Sequence, residues 1–89
     1  MFIWDPIKNE KLKKERGVSF EEVEQIVLRD EHIAVAQNPI HHHQYMFIVI
    51  MAGYVHIVPF VYDKHDHIVL KTIYPSRKYH KQYAKKKSK

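Results

Sequence analysis

The 89-residue chain has no cysteine. Disulfide scaffolds, thiolate metal sites and thiol nucleophiles are therefore excluded, and nothing points to an oxidising compartment. It has two glycines, and neither an internal repeat nor a flexible linker is visible. The longest apolar run, residues 46–52, is far short of the roughly 20 residues that a membrane-spanning helix needs. The N-terminus, Met1-Phe2-Ile3-Trp4-Asp5, lacks the basic start and apolar stretch of a secretory signal. These absences lead to the expectation of a cytoplasmic protein that makes no use of a membrane. One further absence is local: no acidic residue occurs from Lys71 to Lys89.

That last absence gives the charge its direction. Residues 1–45 carry six Lys/Arg against eight Asp/Glu, and residues 46–89 carry nine against two, so the formal charge of +5 is concentrated in the second half. A cationic surface held on a sheet edge suits a polyanion such as RNA or DNA. An apolar fraction of 45% with six Tyr, four Phe and one Trp argues for a folded globule, not a disordered basic tail. The length suits one small domain with a single core, expected over residues 1–84, with residues 85–89 as a solvated basic tail.

Along the chain, Phe2-Ile3-Trp4 reads as a short strand and Asp5-Pro6 as a helix N-cap followed by proline at the first helical position. The helix runs to about Arg16, with a thin apolar face of Ile7 and Leu12, and stops at Gly17. Ser19 and Glu22 form a capping box for a second helix, with Val18 and Val23 as its hydrophobic staple. Phe20, Val23, Ile26 and Val27 supply its buried stripe. The period then becomes extended, and residues 32–36, 45–52, 54–62 and 67–74 read as strands. Ala52-Gly53 and residues 63–66 read as hairpin connections. Residues 46–51 are apolar on both faces, so that strand is expected to be central and covered on both sides. Pro59 cannot donate to a ladder and implies a bulge or an open side. A short basic helix capped by Ser76 closes the chain. The expected fold is α+β, two N-terminal helices packed on a curled antiparallel sheet of about four strands.

Three sets of residues could carry chemistry. The first is the strand end and basic segment Lys71, Thr72, Tyr74, Ser76, Arg77, Lys78 and Lys81. If Ser76 caps the last helix, Arg77 and Lys78 lie in its first turn, where free backbone amides favour a phosphate. Strand alternation puts Thr72 and Tyr74 on one face and Lys71 and Ile73 on the other. The second set is the histidines His41, His42 and His43, with His80, a residue type suited to proton transfer near neutral pH. The same triplet also reads as a solvated loop, and no recognised metal spacing accompanies it. The third is the aromatics, of which Tyr45, Tyr54 and Tyr62 are assigned to packing or sheet edges. Tyr74, Tyr79 and Tyr83 stand apart because they lie among the cations.

Trp4-Asp5-Pro6-Ile7-Lys8 with residues 16–23, Arg-Gly-Val-Ser-Phe-Glu-Glu-Val, resembles the N-terminal pattern of BrnT-type toxins of type II toxin–antitoxin systems. Residues 58–61 with residues 70–78 resemble the C-terminal half of a related branch. The resemblance implies a RelE/ParE-like fold and a ribonuclease that arrests growth. It also implies a cognate antitoxin with a ribbon-helix-helix DNA-binding part, operator DNA being reached only through the complex. Of the family's functional residues it carries over Arg77 and its neighbours.

The expected function is a metal-independent endoribonuclease with no cofactor, leaving 2′,3′-cyclic phosphate and 5′-hydroxyl ends. Arg77 would hold the scissile phosphate, Tyr74 or His43 would handle protons, and Lys71, Ser76, Lys78 and Lys81 would position the RNA. The alternatives are a non-catalytic nucleic-acid-binding module and a ParE-like toxin directed at a protein.

Overall fold

A computed structural model describes residues 1–87, with side chains through Tyr83. Strand β1 (Phe2–Ile3) leads into helix α1 (Pro6–Arg16) and helix α2 (Phe20–Leu28). Strands β2 (Ala34–Gln37), β3 (Tyr45–Met51), β4 (Tyr54–Tyr62), β5 (Ile68–Leu70) and β6 (Tyr74–Pro75) follow, and helix α3 (Arg77–Lys87) ends the description. The α+β class expected from the sequence is what the chain adopts. The sheet is larger and mixed: its order is β1-β5-β4-β3-β2, with β6 also on β4. All pairings are antiparallel except β1 with β5. Helix α3 continues to Lys87, three residues into the expected tail.

Local chemistry sets the helix ends. The Asp5 carboxylate accepts from the Ile7 amide, Pro6 occupies the first turn, and Gly17 takes the left-handed conformation (φ 67°, ψ 24°) that ends α1. Ser19 Oγ accepts from the Glu22 amide at 3.2 Å, and Val18 and Val23 are both buried, as the staple requires. The apolar face of α1 differs from expectation. Leu12 is buried, Ile7 is 80% exposed, and the second buried residue is Asn9. Asn9 Oδ1 accepts the Phe20 amide at 2.8 Å and its Nδ2 donates to Glu21 Oε1 at 2.8 Å. Asn9 therefore caps α2 from α1, which makes its burial tolerable.

The core has two layers, one on each sheet face. Leu12 of α1, Val18 from the link between the helices, and Phe20 and Val23 of α2 pack on Phe47, Val49, Val58, Phe60, Leu70 and Ile73. On the opposite face Met46, Ile48, Val55 and Ile57 are covered by Tyr79 and Tyr83 of α3. Residues 46–49 are buried in succession for this reason: β3 has a helical layer on either side.

Pro59 shapes the last strand. Phe60 pairs with Leu70, but Ile57 pairs with Tyr74, so three residues, 71–73, face two, 58–59. This one-residue bulge lies where Pro59 has no amide to offer, and the Lys71 amide donates to the Pro59 carbonyl at 2.9 Å. The bulge interrupts the strand alternation between Leu70 and Ile73. Leu70 and Ile73 both enter the two-helix core, and Tyr74 is released to the opposite side of the chain.

Candidate nucleic-acid interface

The start of α3 is clamped to β4 by a small set of polar contacts. Ser76 donates its amide to the Val55 carbonyl at 3.0 Å, and its own carbonyl receives the His80 amide at 2.8 Å. Ser76 Oγ accepts the Tyr79 amide at 3.2 Å, which makes it the N-cap expected from the sequence. The Val55 amide donates to His80 Nδ1 at 3.2 Å, so Val55 uses both its backbone groups to hold α3. The neutral His80 ring then carries its proton on Nε2. That ring lies flat on Tyr54, with centroids 3.9 Å apart and planes at 8°. On the other side of Tyr54, buried His56 donates Nδ1–H to the Tyr54 carbonyl at 2.9 Å. Tyr54, His56 and His80 thus fix the floor under the first turn of α3.

Spacing along α3 separates its two faces. Tyr79 and Tyr83, four residues apart, stack at 6.1 Å and pack on the sheet, so they serve the core and not base stacking. Arg77, Lys78 and Lys81 are exposed on the outer side and form a cationic ridge. Lys78 Nζ sits 5.7 Å from the Tyr79 ring centroid, within cation–π range. The phosphate cradle is narrower than expected because the Tyr79 amide is already taken by Ser76 Oγ. The Arg77 and Lys78 amides precede the first intrahelical bond, and the Ser76 hydroxyl keeps a proton to donate.

Tyr74 precedes this turn and is exposed. Desolvation, with a smaller contribution from nearby Tyr79, raises its phenol above the ordinary tyrosine value. Like any tyrosine it is protonated at neutral pH, so it can act there as a proton donor but not as a base, and the upward shift makes it a weaker acid.

Not all the expected residues meet. Arg77, Ser76, Lys78, Lys81 and Tyr74 gather at the β4 end that carries Val55. His43 lies beyond Tyr45, which pairs with Phe60 near the other end of β4, whereas Ile50 pairs with Val55. Five residues of extended strand put roughly 17 Å between these ends, so a joint Arg77–His43 centre is not formed. His41, His42 and His43 are exposed in a loop tied by Asn38, whose Oδ1 accepts the Ile40 and His41 amides. Lys71 is also apart from α3, on the bulge beside Trp4 and Lys8 of the α1 side. The sequence assigns Tyr54 to packing or a sheet edge and does not single out His56. The alternation Tyr54-Val55-His56 next to a hairpin turn was the available signal, but nothing local distinguishes it from an ordinary strand.

Among the described residues, no cluster of three or more His, Cys, Asp or Glu side chains has metal-ligating geometry, and no helix is long and apolar enough to cross a membrane. Comparison with protein-family models, curated proteins and solved structures finds no match to this chain.

Proposed function

We propose that this chain is a metal-independent endoribonuclease and the toxin of a type II toxin–antitoxin pair, acting in the cytoplasm. The observation that supports this most is the ordered first turn of α3, where Arg77 and Lys78 stand over a floor made by Ser76, His80 and Tyr54. A phosphate there would meet the exposed Arg77 guanidinium, a cation that can stabilise the negative charge that grows during cleavage. The RNA 2′-hydroxyl attacks phosphorus, the bond to the 5′-oxygen breaks, and Tyr74 delivers its phenolic proton to that oxygen. The 2′-hydroxyl proton passes to water, and water returns a proton to the Tyr74 phenolate. The products are a 2′,3′-cyclic phosphate and a 5′-hydroxyl. Lys78 and Lys81 hold the flanking backbone. The same ridge is where an acidic segment of a cognate antitoxin, expected to carry a ribbon-helix-helix domain, would dock, with operator DNA contacted only through that complex.

The distance of His43 from Arg77 favours a second reading, a non-catalytic RNA-binding module. Inducing the chain in bacteria beside its Arg77→Ala version, with RNA ends mapped by a method that reports cyclic phosphates, separates the two. Growth arrest with cyclic-phosphate ends that vanish in the variant is the expected result. Arrest with intact RNA would redirect the search to a protein target, and a stable protein without arrest would support the binding module.

A further inference from the structure

A second cationic feature lies on the other side of the sheet edge. Two shallow grooves run along α1, of about 380 Å³ and 170 Å³, and both are lined by Lys8. The first is bordered by Trp4 and Lys71, the second by Lys11, Arg16 and Thr72. Four cations therefore line this pair of grooves, which share Lys8. Two carboxylates also line them, Asp5 and Glu15, and that of Asp5 is engaged in capping α1.

The bulge opposite Pro59 creates this groove. It shifts the register after Leu70, so that Lys71 and Thr72 fall between the β5 and β6 pairings and line the grooves while Ile73 is fully buried. The Ile73 carbonyl receives Nη1 of Arg16, so the guanidinium is held at the rim with most of its five donors still available. From Lys71 the chain runs through Tyr74 and Ser76 to Arg77, at most about 20 Å of backbone. The groove and the first turn of α3 are thus joined by one short segment. Half-buried Trp4, stacked on Phe20 at 5.8 Å, gives the groove an aromatic wall, the companion of cations in single-strand binding.

We propose that the groove between α1 and β5 is a second nucleic-acid contact, which holds the phosphate backbone of single-stranded RNA a few nucleotides from the phosphate at Arg77. It rests on the reading of α3 as a phosphate site, and it extends that site around the sheet edge. Lys8 and Lys11 carry the test because both are exposed on α1 and glutamine keeps the helix.

Binding of a labelled 12-nucleotide single-stranded RNA is measured across a salt series for the unmodified protein, the Lys8→Gln/Lys11→Gln variant and Arg77→Ala. Each lost phosphate contact lowers the log–log salt slope by about 0.7. The expected result is a slope reduced by about 1.4 in the double variant and by about 0.7 in Arg77→Ala, with circular dichroism unchanged. An unchanged slope and affinity in the double variant would overturn the groove and leave α3 standing. A reduced slope there with Arg77→Ala unchanged would support the groove and count against α3. Tight binding of a polyglutamate peptide with none of the RNA would overturn the proposal in favour of a protein partner.

Discussion

Asn9 does what an apolar residue was expected to do, by a different means. Its amide group receives the Phe20 amide and donates to Glu21, and both bonds join α1 to the start of α2. The Asn9 amide, more than any other group, holds the Glu21 carboxyl below its usual range. Replacing Asn9 by alanine leaves the Phe20 amide buried without a partner, a loss of about 1–3 kcal/mol. Urea unfolding of Asn9→Ala should show a lower midpoint with an unchanged slope; an unaltered midpoint would refute the capping role. The sequence did not reveal Asn9 because hydrophobic patterning scores apolar residues only. Ile7 fitted the apolar spacing and is exposed, whereas Asn9 broke it and is buried. Ser19, Gly17 and Asp5 were legible because their roles need only neighbours in the chain.

Turns show the same division between local and distant causes. In the β4–β5 connection, Asp63 Oδ1 accepts the His65 and His67 amides at 2.8 and 2.9 Å, and Oδ2 meets His67 Nδ1 at 3.1 Å. The His67 amide first, then the His65 amide and the His67 ring, lower the Asp63 carboxyl below its usual range against an opposing desolvation effect. A carboxyl lowered by folding stabilises the folded state above its unfolded value, near 4, and loses that contribution as pH falls through its folded value. Asp63→Asn should therefore be less stable than the parent at pH 6, and the gap should narrow below about pH 4. A gap that stays constant from pH 6 to 2.5 would contradict the carboxylate's role. The hairpin was readable in advance from its polar residues, whereas the bulge opposite Pro59 was foreseen only as one of two possibilities. Its register depends on which strand lies alongside Pro59, and pairing between distant segments is not encoded locally. The entry of both Leu70 and Ile73 into one core follows directly from that one-residue shift.

At the level of the whole molecule, the sheet acts as a partition. Its two-helix face holds the larger core, its other face carries α3, and cations line both sides of the edge where β5 gives way to β6. The acid-free run made this polarity visible in the sequence, and the Ser76 cap and exposed Arg77, Lys78 and Lys81 followed. What remained hidden required tertiary proximity: the Tyr54–His80 stack, the tie between Val55 and α3, and the distance separating His43 from Arg77. The proposed ribonuclease depends on Arg77, which this scaffold places to hold the scissile phosphate without a metal. The direct measurement uses purified protein at substoichiometric concentration with single-stranded RNA and excess chelator, and scores the ends formed. Cyclic-phosphate and 5′-hydroxyl ends are expected, at a rate reduced about 10²–10³-fold in Arg77→Ala; intact RNA, 3′-hydroxyl ends, or equal rates in the two proteins would contradict the proposed function.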